Sequence, residues 1–155
     1  MGKDVRQGDS LIALRMAFYG GLVVCVVDGL GRRPSIAAMA LGVCVLAAAV
    51  SLRVWSQVSL GGAWSTRIRV EPQQHLITAG PYRVVRHPAY LALVLFYLGA
   101  VIGFGSISGL LVFVLGLAPA VCHRIALEEA ALASHFGEQY LQYASSTKRL
   151  LPHLF

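Results

Sequence analysis

A bundle of about four membrane-spanning helices, with an amphipathic helix behind them, is the fold that this sequence predicts. Of its 155 residues, 57% are hydrophobic and only 13% are charged. A soluble domain carries about half apolar and about a quarter charged residues. A chain of this size cannot bury such an apolar excess, so the excess must face lipid. The apolar residues also fall into four runs, each near the length needed to cross about 30 Å of hydrocarbon. None of the runs shows the alternating pattern of a barrel strand, which leaves helices as the means of satisfying backbone groups in lipid. The same composition excludes a disordered chain, a collagen-like fibre and a disulfide-stapled scaffold.

Helices are expected over about 11–28, 35–53, 88–104 and 107–123, within a single domain of residues 1–155. The first run, Leu11 to Val27, is interrupted by Arg15 and followed by Asp28. These two charges are accommodated by snorkelling or by interhelical contact. Lys3 and Arg6 resemble the charged start of a signal peptide, but no clear small-x-small site follows, so a retained helix is expected. The second run is rich in Ala, Val and Leu, with Pro34 suited to a first helical turn. The third begins at Pro88, and the turn Gly103-Phe104-Gly105-Ser106 leads into the fourth. A polar loop spans 54–87. Beyond the fourth run, Leu127, Leu132, Phe136, Tyr140 and Tyr143 recur at helical spacing opposite Glu128, Ser134 and Glu138. That pattern predicts an amphipathic cytoplasmic helix over 124–145, weakened at Gly137 and ended by Pro152.

Thirteen Lys and Arg against seven Asp and Glu give a net charge of +6. In a soluble protein this would suggest nucleic acid as a partner. Here the cations lie between apolar runs and set topology instead. With four spans, eleven of the thirteen fall on the side holding both termini and the long loop, and only Arg32 and Arg33 lie opposite. The positive-inside rule then puts both termini in the cytoplasm. The three cysteines, Cys25, Cys44 and Cys122, lack CxxC spacing and read as small buried hydrophobes. His123, His135, Glu128 and Glu129 do not have the HExxH spacing, so no metal is expected.

Two clusters carry chemistry. Gly80-Pro81-Tyr82-Arg83-Val84-Val85-Arg86-His87-Pro88-Ala89-Tyr90 puts two Arg, a His and two Tyr at the mouth of the third helix. His87 sits at the helix cap, where exposed N–H groups favour an anion, and Tyr90 follows it on the same face. The same residues would also suit headgroup anchoring and an interfacial aromatic belt. Arg124 and Glu128 are four apart on one helical face, either as a surface ion pair or as holders of opposite charges on a ligand.

Taken together and in this order, the clusters resemble the isoprenylcysteine carboxyl methyltransferase family of integral membrane enzymes. The resemblance runs from Leu52-Arg53-Val54-Trp55 through His75-Leu76-Ile77-Thr78-Ala79-Gly80-Pro81-Tyr82, Arg86-His87-Pro88-Ala89-Tyr90 and Arg124 with Glu128-Glu129. It closes on His135 to Tyr143 and Leu150-Leu151-Pro152, about two-thirds of the chain. It implies S-adenosylmethionine as methyl donor, bound at the cytosolic mouth. By position, Gln74, His75, Leu76, Ile77, Tyr82, His87, Pro88, Ala89, Tyr90 and Glu128 match cofactor-binding residues. Arg124 matches the arginine associated with the acceptor carboxylate and is the expected catalytic residue. Family members often begin the 74–77 stretch with His, where this chain has Gln74 and then His75. The expected acceptor is lipophilic, the carboxylate of an isoprenylcysteine-like or other lipid-like molecule. A nicotinamide-dependent membrane reductase and a non-catalytic scaffold are the alternative readings.

Overall fold

In a computed structural model the described residues are 2–63 and 75–151. They form α1 (Gly2–Gly31), α2 (Ile36–Leu60), α3 (Pro88–Phe104), α4 (Ile107–Val112), α5 (Ala118–Phe136) and α6 (Glu138–Ser146). Short 3-10 turns cover Gly61–Ala63 and Gly80–Arg83, and a π-helical turn at Phe113–Leu117 joins α4 to α5. Among the described residues there is no strand, only an isolated parallel bridge between Val85 and Lys148.

Local chemistry explains the boundaries. Ser35 caps α2, its side chain accepting from the Ala38 amide at 3.2 Å. Ser106 caps α4 in the same way, accepting from the Gly109 amide at 2.9 Å, and each cap satisfies an orphan helical donor. Between α3 and α4 the chain reverses at Gly105, whose φ of 61° a side-chain-bearing residue rarely adopts. Three expected boundaries shift, the first being that of α1, which runs over Gly2–Gly31 and not 11–28. Helix α2 continues past 53 to Leu60, because no Gly or Pro interrupts it before Gly61. The expected tail helix over 124–145 is divided: its first half belongs to α5, and Gly137 separates it from α6. Pro152, expected to end the tail, lies outside the described residues.

Among the described residues, three helical stretches are long and apolar enough to cross a membrane: Gly8–Gly31, Ile36–Leu60 and the continuous Ile107–Phe136. The fourth, α3, has 17 residues, about 26 Å at the helical rise. It packs along α2 and also contacts α1 and α4. That placement explains why α3 is apolar all round rather than amphipathic. Its approach to α2 is close enough that a Cβ on Gly42 would lie 2.6 Å from the Gly103 Cα and 2.7 Å from the Gly99 carbonyl oxygen. Such small-residue crossings are how helices associate where lipid removes the hydrophobic drive.

The core joins Leu14 and Cys25 of α1 to Tyr97 and Val101 of α3 and to Leu117, Val121 and Ile125. Of the three cysteines only Cys25 is buried; Cys44 and Cys122 lie on the outer faces of their helices, where a thiol is apolar enough to sit. Within the core, the Tyr97 hydroxyl donates to the Gly109 carbonyl at 3.1 Å. At the end of the bundle near the α3–α4 turn, Asp28 accepts from the Ser106 hydroxyl at 2.9 Å and the Ser108 amide at 3.3 Å. Large apolar side chains meanwhile lie outside, with Leu30 83% and Ile36 86% exposed. Such a surface suits lipid and not water. The chain is an integral membrane protein.

Replacing Gly42 with leucine is expected to force α2 from α3 and to cost about 1–3 kcal/mol or more. The thermal unfolding temperature in detergent should fall accordingly. Gly20→Leu should leave it unchanged, since no atom lies within 4 Å of the place a Cβ would take there. Equal melting temperatures for the two variants would refute the close-crossing account.

Candidate active site

The cluster forms at the end of the bundle opposite the α3–α4 turn, where α3 begins and α5 passes it. Gly80–Arg83 makes a 3-10 turn that buries Pro81 and Tyr82. A few residues later, Pro88 opens α3 at its first position, where a missing N–H costs nothing. The first helical turn therefore projects His87 and Tyr90 side by side, their rings edge-on with centroids 5.8 Å apart. From α5, Arg124 and Glu128 meet Tyr90, whose hydroxyl interacts with both the Arg124 guanidinium and the Glu128 carboxylate.

Tyr82 lies within electrostatic reach of Glu128 as well. Burial pushes its phenol well above the usual range, and the Glu128 charge pushes it further. Tyr143, whose hydroxyl donates to the Tyr82 carbonyl at 2.6 Å, is pushed up to about 12, mainly by burial. Both phenols are therefore neutral hydrogen-bonding groups and not bases at ordinary pH.

Glu129, one residue beyond Glu128, has separate partners. Its carboxylate accepts from Arg86 Nε at 3.1 Å and Arg149 Nη2 at 2.8 Å, with His87 Nε2 at 3.4 Å. Arg86 reaches further, donating to the carbonyls of Ala144 and Thr147. The backbone joins in: the Arg86 amide donates to the Lys148 carbonyl at 2.7 Å, and the His87 amide to the Arg149 carbonyl at 3.0 Å. The segment after α6 thus straps across the start of α3. It takes the two amides that precede the helix, and Tyr90 N turns back to His87 O at 3.1 Å. The anion-favouring helix start expected from the sequence is thereby largely occupied by the chain itself.

Of the expected site residues, Tyr82, His87, Tyr90, Arg124 and Glu128 come together. Pro88 is buried in the first turn of α3. Ala89 contributes its carbonyl, which accepts from Arg53 Nη1 at 3.2 Å. His75 is exposed, and Leu76 and Ile77 are half-buried before the 3-10 turn; Gln74 lies outside the described residues.

Three further participants escape the sequence reading. Arg53 of α2 stands beside Tyr82 and Tyr90, although by sequence it is one topology charge among many. Ser10 of α1 accepts from Arg124 Nη1 at 2.9 Å. Tyr140 of α6 is 3% exposed, with its hydroxyl lacking a hydrogen-bond partner among the described residues. A polar residue on a buried helical stripe is the signal that marks Ser10 and Tyr140, yet many such residues have no functional role.

Part of the chain is similar to known proteins. A protein-S-isoprenylcysteine O-methyltransferase of Schizosaccharomyces pombe is 38% identical over 77 residues, covering 50% of this chain and 33% of its own. A probable protein-S-isoprenylcysteine O-methyltransferase of Oryza sativa is 35% identical over 86 residues, covering 56% and 45%. Protein-S-isoprenylcysteine O-methyltransferase A of Arabidopsis thaliana is 29% identical over 97 residues, covering 61% and 49%. The matches therefore span a third to about half of these relatives' length. Residues 40–134, from the first turns of α2 to near the end of α5 and so including Arg53, Tyr82, His87, Tyr90, Arg124, Glu128 and Glu129, match the isoprenylcysteine carboxyl methyltransferase family, and the chain belongs to that family.

Proposed function

We propose that the chain transfers a methyl group from S-adenosylmethionine to the carboxylate of a lipophilic, isoprenylcysteine-like acceptor. In this reading the active end faces the cytoplasm, which the distribution of Lys and Arg over four spans supports under the positive-inside rule. The observation that carries the reading is the meeting of Arg124, Glu128 and Tyr90 at one end of the bundle.

The residues suit the donor's chemistry. S-adenosylmethionine, when bound, supplies an electrophilic methyl on a cationic sulfonium, beside an amino-acid end bearing both charges. Glu128 is the group for its ammonium, and the faces of Tyr82 and Tyr90 are suited to a cation. His87 and the 74–77 stretch complete the pocket by position. The buried Tyr140 hydroxyl, without a hydrogen-bond partner among the described residues, fits the same reading, because such a group ordinarily has a protein, water or ligand partner.

An acceptor carboxylate is already ionised near neutral pH and needs no general base. Arg124 therefore acts by holding it. A guanidinium binds a carboxylate through two parallel N–H donors and so sets the direction of its oxygens. Arg124 is 2% exposed, and in such a dry site the charge interaction is strong and water does not compete for the methyl group. Alignment accounts for most of the catalysis. A lipid-like tail would stay in the bilayer while only the carboxylate reaches the cluster.

The two adjacent glutamates should separate cleanly. Glu128→Ala is expected to weaken S-adenosylhomocysteine binding by about tenfold to a hundredfold, the loss of a charge-assisted hydrogen bond, with little change in melting temperature. Glu129→Ala should destabilise the fold by about 3 kcal/mol, because it leaves Arg86 and Arg149 facing one another without their carboxylate. Calorimetric titration and thermal unfolding distinguish the two, and equal S-adenosylhomocysteine affinity in wild type and Glu128→Ala would defeat the Glu128 assignment.

Arg124→Ala should keep its affinity for S-adenosylhomocysteine yet lose turnover of a carboxylate acceptor. Normal turnover by this variant would sink the acceptor assignment.

A further inference from the structure

We infer that Ser10 is a positioning residue for Arg124, which makes α1 part of the acceptor site although it lies outside the family-matched span. The inference rests on the reading of Arg124 as the acceptor-binding residue and extends it.

The Ser10 hydroxyl accepts from Arg124 Nη1 at 2.9 Å across 114 residues of sequence. Ser10 is 6% exposed and Arg124 2%, so solvent does not weaken the bond. An arginine side chain has many rotamers to lose. Without a fixed contact at its tip, the guanidinium would sample several planes, and only one of them presents a matched pair of donors to a carboxylate. Ser10 holds it from α1, and the Tyr90 hydroxyl meets it from α3. Contacts from two different helices define an orientation that neither defines alone.

Ser10 is itself well anchored. One helical turn further on, Leu14 is buried in the cluster that includes Val121 and Ile125, the neighbours of Arg124 on α5. The spacing between serine and arginine is therefore set by core packing and not by the hydrogen bond alone. Interhelical serines in membranes also serve as glue between helices. That role predicts lost stability and a general loss of function, whereas positioning predicts a selective loss in acceptor recognition.

The full chain in detergent or nanodiscs tests this with N-acetyl-S-farnesylcysteine as acceptor and S-adenosylhomocysteine as the calorimetric ligand. Ser10→Ala should raise the acceptor KM about tenfold, the loss expected for a hydrogen bond to a charged group, with S-adenosylhomocysteine affinity unchanged. Ser10→Thr, which keeps the hydroxyl, should retain the wild-type KM. In an Arg124→Lys background, Ser10→Ala should add little, because coupled residues give non-additive effects. An unchanged acceptor KM in Ser10→Ala, or a parallel fall in S-adenosylhomocysteine affinity, overturns the inference and leaves the function standing. A wild type that does not methylate the probe, or Arg124→Ala with normal KM, overturns the acceptor reading itself and this inference with it.

Discussion

The carboxylate of Glu129 is the interaction on which the architecture of the candidate site depends. Three chain segments converge there: the run into α3 through Arg86 and His87, the strap after α6 through Arg149, and α5 through Glu129 itself. Without a carboxylate, the two arginines would be brought together in a half-buried place where their repulsion is poorly screened. With it, Arg86 is fixed well enough to use its remaining donors on the Ala144 and Thr147 carbonyls. Those bonds in turn hold the strap in register for the amides of Arg86 and His87. The start of α3, and hence the placement of Tyr90 against Arg124 and Glu128, is built on this anchor.

The other end of the bundle solves a similar problem on a smaller scale. Asp28 closes α1 against α4 through Ser106 and Ser108 and pairs with Arg32 at 3.2 Å. Within a helix a polar side chain can also be satisfied locally, as Ser56 shows near the site end of α2. Buried on α2, it donates to the Leu52 carbonyl at 2.7 Å, a four-residue return that needs no neighbour. Polar chemistry is thus concentrated at the two ends, and the middle is held by close crossings such as that of Gly42 and Gly103.

Much of this is legible in the sequence. Hydropathy and spacing predict helices from the four runs because lipid leaves the backbone no other choice. The four-residue interval of Arg124 and Glu128 places them on one face by helical geometry alone. The tertiary choices are hidden. Nothing in the pair Glu128-Glu129 tells which residue faces the tyrosines and which the arginines; that is decided by how α5 is rotated in the bundle. Arg53 falls within the family-like stretch Leu52–Trp55, but its partner, the Ala89 carbonyl, is set only by how α2 packs. The strap depends on Lys148 and Arg149 finding residues some sixty positions earlier, and a single parallel bridge leaves no periodicity to detect. Gly137 foreshadows the division of the tail, but only its backbone angle makes two helices of one amphipathic pattern.

Adjacent helical residues point about 100° apart, and α5 uses that angle to put two identical side chains to different work. Glu128 turns toward Tyr82 and Tyr90, while Glu129 turns toward the strap. The family-matched span, residues 40–134, contains both glutamates and Arg124, but not all the groups that hold them. Ser10, Thr147 and Arg149 lie in the flanks. A group that must meet a particular ligand has little freedom in its chemistry, since only a carboxylate or a guanidinium carries the required charge. A group that merely steadies it can be any donor or acceptor that reaches, from any helix. The charged groups of the cluster thus lie inside the family-matched span, and Ser10, Thr147 and Arg149 reach them or their partners from the flanks.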